Sequence, residues 1–192
     1  MKAVVWTGHN NFEVQEVPVP KFGADQVLVE VHAASICTTD FHYPEFGCVP
    51  PIVPGHEVSG TLAEIGKNVH DLRIGQRVTL DPVQRCGRCA CCAGGYEHLC
   101  LNARHLGDTD IPGGWGQWVA IDAKNVYPLP DSVGFTAAAL TEPAAVCLQS
   151  FLRADFQKGQ TVLILGDGTF GFIHAMIARI LEAGKIIVAG HY

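Results

Sequence analysis

No stretch of this 192-residue chain is apolar for long enough to cross a bilayer. Its most apolar run, Val162 to Ala189, is broken by Asp167, His174, Arg179, Glu182 and Lys185, well short of the ~18 consecutive apolar residues of a membrane helix. Basic residues are scarce too: 13 Lys and Arg stand against 19 Asp and Glu, a net charge of −6 without any Lys/Arg run. That balance argues against nucleic acid as a partner, a zinc-ribbon reader of DNA or RNA included. The start lacks the apolar core of a secretory signal, because Lys2 is followed only by Ala3 to Trp6 before Thr7 and Gly8. The expected compartment is the cytoplasm, with no membrane partner. Repeats, low-complexity tracts and coiled-coil heptads are absent. Hydrophobic residues reach 48% and charged ones 17%, so a sizeable core can form and compositional disorder is not expected.

Cysteine, by contrast, is plentiful. Eight cysteines without a secretory signal point to metal rather than disulfides, since cytosolic thiols stay reduced. Cys86, Cys89, Cys92 and Cys100 are separated by two, two and seven residues. Two residues between thiolates let a tight turn aim both sulfurs at one ion, and four thiolates close the tetrahedral shell of a structural zinc. Gly87, Gly94 and Gly95 supply the backbone freedom of a wrapped loop. Cys91 lies within the run and could replace a neighbour; an iron–sulfur site or a redox-active loop are the competing readings. Cys147 reads as a packed thiol and Cys48 as a loop residue.

The first part of the chain reads as β. Strands are expected at Ala3 to Trp6, Phe12 to Val17, Val27 to Ala33, Val58 to Ile65, Arg77 to Leu80, Trp118 to Ile121 and Val126 to Leu129. Val27, Val29 and Val31 share one face while Glu30 and His32 point the other way, as in a half-buried strand. Many short strands with frequent turn residues suggest a barrel or sandwich. Beyond Asp131 the pattern changes. Thr136 to Leu152 reads as helix, with Pro143 opening a second helix at its first position. A strand at Val162 to Leu165, a glycine turn, a helical stripe of Ile173, Ile177, Ile180 and Leu181, a stop at Gly184 and a strand at Ile186 to Ala189 then make a β-α-β unit.

A second constellation is dispersed. Cys37 is followed by Thr39, Asp40 and His42, and Gly55-His56-Glu57 comes eighteen residues after Cys37. A catalytic zinc keeps three protein ligands and one open position, and cysteine, histidine and a carboxylate make a reasonable set. Taken singly, a packed thiol and an ordinary His-Glu pair would explain these residues as well.

The run Cys37-Thr-Thr-Asp-Phe-His42, then Gly55-His56-Glu57-Val-Ser-Gly60, Gly66, Val69 and Gly75-Gln-Arg-Val78, resembles the zinc-containing medium-chain alcohol/polyol dehydrogenases. The four-cysteine loop follows where that family places its structural zinc. The Cys-x-x-Asp-x-His form, with Glu142-Pro143 later, is similar to the sorbitol and threonine dehydrogenase branch. The resemblance implies a GroES-like, partly open β-barrel catalytic domain over residues 1–153, followed by the first β-α-β of a Rossmann domain over 154–192. It implies Cys37 and His56 as ligands of a catalytic zinc, with Glu57, Glu142 or a water as the third. Thr39 would pass the substrate proton, Asp40 would orient a metal ligand, and His42 would lie near substrate and relay protons. The implied activity is NAD(P)-linked oxidation of a small secondary alcohol or polyol. Because zinc has no redox chemistry, the hydride needs the dinucleotide as acceptor.

Gly166-Asp-Gly168-Thr-Phe-Gly171 supplies a site for it, between a strand and a helix. The second strand ends in Val188-Ala189-Gly190-His191 without the usual acidic residue for the adenosine ribose. Gly190 leaves room for a 2′-phosphate and His191 could bind it, which leans toward NADP. A Rossmann fold has six strands, and two are expected here, so the resemblance implies a truncated cofactor domain. A small apolar sheet of two strands is marginal alone, and a homo-oligomer is expected to cover it. The alternative is an inactive, zinc-stabilised remnant with a structural or oligomerising role.

Overall fold

The computed structural model describes residues 1–9, 11–108 and 111–191. The chain forms two compact units, Met1–Leu140 and Thr141–Tyr192. Helix Thr141–Arg153, which the sequence reading placed at the end of the first domain, falls with the second unit. Its buried Cys147 and Phe151 account for this: the Cys147 thiol contacts the Phe170 carbonyl at 3.9 Å, and the Phe151 ring lies 5.8 Å from that of His174.

The first unit is built on antiparallel strands. Strands β1 (Lys2–Gly8) and β2 (Asn11–Glu16) pair with each other. Strands β3 (Gln26–Ala34), β4 (Val58–Ile65), β5 (Arg77–Leu80), β8 (Trp118–Asp122) and β9 (Val126–Pro128) form one sheet in the order β8-β3-β4-β5-β9. Between β5 and β8 lie a two-residue pair, β6 (Val83–Gln84) with β7 (Arg104–His105), and helix α1 (Ala90–Ala93). All seven strands expected from the sequence form, with ends within two residues. Val27, Val29, Val58, Leu62, Val78, Val119 and Ile121 make the core, and Glu30 and His32 face out as their alternation requires. The β3–β4 ladder shifts register between Leu28 and Val29 and again between Val31 and Ala33. Such bulges bend and twist a strand pair, which curves the sheet. Edges β8 and β9 are not paired with each other, so the barrel is partly open.

Short helix α2 (Phe135–Ala139) packs on β3 and β4. Ser59 and Thr79, both buried, donate their hydroxyls to the carbonyls of Phe135 (2.7 Å) and Ala138 (3.2 Å). The Phe135 ring stacks on His32 at 4.3 Å and lies under the Arg77 guanidinium.

In the second unit, α3 (Thr141–Arg153) precedes β10 (Thr161–Leu165), α4 (Thr169–Ile180) and β11 (Lys185–Ala189), and the two strands pair in parallel from Thr161↔Lys185 to Leu165↔Ala189. Two expectations need correction. Helix α3 begins at Thr141, two residues before Pro143, because a proline is accommodated anywhere in the first turn, where amides have no intrahelical acceptor. Ile180, placed on the inner stripe of α4, is 76% exposed; Ala178 and Gly171 are the buried contacts there, beside half-buried Ile173 and Ile177.

Candidate functional site

The β3–β4 register assembles the first cluster. Ala34 pairs with Val58, and the Ser35 N–H donates to the Glu57 carbonyl at 3.0 Å, so the segments carrying Cys37 and His56-Glu57 leave the same end of adjacent strands. Ligand atoms of Cys37, His56 and Glu57 all lie within 4.8 Å of one another. Cys37 stands just before a 3-10 turn, Thr38–Phe41. Within that turn Asp40 is 1% exposed and accepts from the Cys37 N–H at 2.9 Å and from the Tyr43 hydroxyl at 3.1 Å. Its Oδ1 also lies 3.4 Å from His56 Nδ1. With Nδ1 held by a carboxylate, Nε2 is the nitrogen left for a metal; Thr39 Oγ1 is 3.5 Å from it.

Burial pulls the His56 pKa down, but the hydrogen bond and charge of Asp40, joined by Cys37, outweigh it and raise His56 to about 9. Burial and then the Asp40 carboxylate push the Tyr43 phenol well above its usual range, so it remains a donor. Glu57 is buried, and one carboxylate oxygen accepts from the Ser35 hydroxyl. Gly55, just before His56, has φ +95°, and a Cβ there would come within 2.3 Å of the Trp115 ring. Only glycine fits that backbone and that contact.

Other residues singled out from the sequence stand elsewhere. His42 is half-exposed, its Nδ1 3.0 Å from Glu45 Oε1. Glu142 lies in the first turn of α3, in the second unit. Ser35, Tyr43 and Trp115, whose indole N–H donates to the Ser35 carbonyl at 3.1 Å, were not read as site residues. The spacing of Tyr43, three residues after Asp40 on a tight turn, was the available signal.

The second cluster is the four-cysteine loop. Sulfurs of Cys86, Cys89, Cys92 and Cys100 lie within 4.8 Å of one another, with Cys89 3.5 Å from Cys92 and 4.0 Å from Cys100. A tetrahedron with Zn–S bonds of about 2.3 Å has edges of about 3.8 Å, so the set matches one zinc. Cys91 is outside the cluster, which answers its possible substitution for a neighbour. Backbone N–H groups of Arg88 and Cys89 hold the Cys86 thiol down to about 6, and those of Cys92 and Leu101 lower Cys89. Burial pushes Cys92 up to about 12, the situation a cation would reverse. None of the eight cysteines is in a disulfide.

The glycine turn has its expected shape. Gly166 has φ +117° and donates its N–H to the Ala189 carbonyl at 2.8 Å; a Cβ on Gly171 would lie 2.2 Å from the Gly166 oxygen. Gly168 is the N-cap of α4, with open space where a Cβ would be. At the tip of β11, the room expected at Gly190 is taken by Asp167: a Cβ there would meet its Oδ2 at 2.4 Å. The same oxygen accepts from the His191 N–H at 3.0 Å.

The first unit is thus a curved antiparallel barrel bearing a Cys-His-carboxylate cluster and a four-thiol loop. The alcohol dehydrogenase GroES-like domain family matches residues 23–131, and the chain belongs to it, within the zinc-containing medium-chain dehydrogenases. The chain is 34% identical to sorbitol dehydrogenase of Bacillus subtilis (strain 168), over 98% of its own length and 55% of that protein. It is 36% identical to L-threonine 3-dehydrogenase of Mesorhizobium japonicum, over 91% of this chain and 52% of that one. A Sinorhizobium meliloti 1021 protein assigned as a zinc-binding dehydrogenase, solved bound to NADP, superposes with TM-score 0.91 at 36% identity, over 97% of this chain and 55% of that one. The chain thus spans about half the length of the relatives it matches. No helix among the described residues is long and apolar enough to cross a membrane.

Proposed function

We propose that this chain carries the substrate-side half of a zinc-dependent oxidoreductase that moves hydride between a secondary alcohol or polyol and a nicotinamide dinucleotide. The observation that carries the reading is the convergence of Cys37, His56 and Glu57 with His56 Nδ1 fixed by buried Asp40. A soft thiolate, an imidazole of fixed tautomer and a carboxylate form a donor set that suits zinc. Cys37 and His56 would hold the ion, with Glu57 or a water as third ligand. Bound there, zinc supplies Lewis acidity that lowers the pKa of an alcohol. Thr39 Oγ1 would receive the alcohol proton, and His42 would pass it toward solvent, where it already faces Glu45. The Cys86–Cys100 loop would hold a structural zinc.

Gly166, Gly168 and Gly171 would admit the dinucleotide pyrophosphate. For the adenosine end, His191 favours a 2′-phosphate and so NADP, while Asp167 beside it favours ribose hydroxyls. The unbridged cysteines fit a reducing cytoplasm.

The test is reduction of NAD and NADP by the purified, metal-replete chain with sorbitol, threonine and a series of secondary alcohols. Turnover that Cys37→Ser abolishes supports the proposal. Two zincs per chain without turnover would favour the second reading, a zinc-stabilised domain that acts by association. Its support is exposed apolar surface in the second unit, with Leu163 59% and Leu165 80% exposed on β10. Those residues suit a homo-oligomer contact.

A further inference from the structure

Glu57 is a carboxylate that the fold hides without neutralising. It is 4% exposed and enters none of the ion pairs among the described residues. Ionised, it has acceptors only, about four lone-pair sites over two oxygens. Among the described residues one hydrogen bond reaches them, from the Ser35 hydroxyl to Oε2. A buried charge served so lightly needs a cation, and the ligand atoms of Cys37 and His56 within 4.8 Å mark where one would sit.

Ser35 is itself held on both sides. Its N–H donates to the Glu57 carbonyl at 3.0 Å, and its carbonyl accepts the Trp115 indole N–H at 3.1 Å. That indole is wedged against Gly55, where a Cβ would come within 2.3 Å of the ring, and the Trp115 backbone N–H donates to the Pro54 carbonyl at 2.9 Å. One tryptophan thus ties together the two segments that carry the cluster. What is left to Ser35 is its rotamer, and the one present aims Oγ at Glu57.

We propose, on the zinc reading given above, that Ser35 is a positioning residue whose hydroxyl holds Glu57 so that the carboxylate, and not a water, takes the third place beside Cys37 and His56. Glutamate is among the side chains with the most rotamer freedom to lose on being fixed. With Oε2 tied to Ser35 that loss has occurred before the ion arrives, which favours the carboxylate over a water. The remaining lone pairs have no donor among the described residues and are left for the ion.

The experiment uses the whole chain with zinc in its four-cysteine loop and cobalt(II), whose visible bands report its donor set, titrated into the Cys37 cluster. Ser35→Ala should weaken cobalt binding by about 10–100-fold, the usual effect of removing a group that orients a metal ligand, and shift the bands as water replaces the carboxylate. Ser35→Thr, which keeps the hydroxyl, should restore both. In a Glu57→Ala chain the same Ser35→Ala change should alter neither affinity nor bands, as for two residues that act as one. Loop zinc retained in each variant shows that the unit is folded. Unchanged cobalt affinity and bands in Ser35→Ala, or an equal loss with and without the Glu57 carboxylate, would overturn the proposal. A wild-type chain with no sulfur-to-cobalt band that Cys37→Ser removes would overturn the zinc reading, and this proposal with it.

Discussion

The His56–Asp40 pair carries two pH dependences of opposite sign. In the metal-free chain His56 is held at about 9 against an ordinary value of 6.5. A raised folded-state pKa adds stability that is complete below about 6.5 and lost as pH climbs through about 9. The gap corresponds to about 3 kcal/mol as an upper bound. Chemical denaturation of metal-free protein at pH 6 and pH 9.5 should show that loss, and Asp40→Asn should flatten it. Zinc must displace the same proton, so its affinity for the Cys37 cluster should rise with pH over that interval. Asp40→Asn should lower that affinity by about 10–100-fold, the usual effect of removing a carboxylate behind a metal-bound histidine. Competition with a chromogenic chelator would measure it. At the glycine turn, Asp167 places a negative charge where a dinucleotide's phosphates are expected. Asp167→Asn should tighten 2′,5′-ADP relative to 5′-ADP by about fivefold, on the scale of one solvent-exposed charge pair at contact distance. An unchanged ratio of the two affinities would show that Asp167 does not face the adenosine.

Among the elements, strands were more legible than what joins them. Alternation in Val27 to His32 identified β3 because its two faces meet different solvents, and runs such as Val58 to Ile65 followed from β-branched content. The two-residue strands β6 and β7 are too short for any period and form only through their tertiary pairing. Spacing sufficed for the four-cysteine cluster, since a wrapped loop brings nearby thiols together. The partners of the dispersed cluster were less legible. Ser35 acts through a contact across two strands that nothing in its local sequence marks, and Tyr43 is signalled only by its three-residue spacing from Asp40. Ile180 was misassigned because a 3.6-residue stripe tells which face is apolar, not whether a neighbour covers it. The loop before β4 offers a test at this scale. Gly55→Ala adds a Cβ against Trp115 at a positive φ, and should cost more than about 1 kcal/mol. A lowered thermal midpoint together with loss of zinc from the Cys37 cluster, the four-cysteine loop keeping its own, is the expected result. Cys89→Ser should do the reverse, emptying the four-cysteine loop while the Cys37 cluster still titrates.

At the level of the whole molecule, the two units differ in how well they cover themselves. The first buries a continuous core of valines, leucines and isoleucines. The second keeps few buried side chains, while Leu163, Leu165, Phe172, Met176 and Ile180 stand between 59% and 80% exposed. Parallel strands are ordinarily covered on both faces, and exposed apolar surface of this kind marks an association site or an aggregation hazard. Sedimentation velocity over a hundredfold concentration range should therefore show self-association. Leu165→Lys should shift the chain toward monomer with its zinc content unchanged; a concentration-independent monomer would remove the oligomer from the proposed function.

With zinc bound at Cys37 as proposed, the pairing of Ala34 with Val58 would also make the metal a proofreader. Cys37 and the His56-Glu57 pair are brought together by one alignment of β3 on β4. A slip of a single residue would turn every side chain of the strand to the opposite face and carry the thiolate away from the imidazole. A misaligned chain would then have no three-ligand cluster with which to retain the ion. Zinc occupancy at Cys37 would then be a chemical readout of strand alignment.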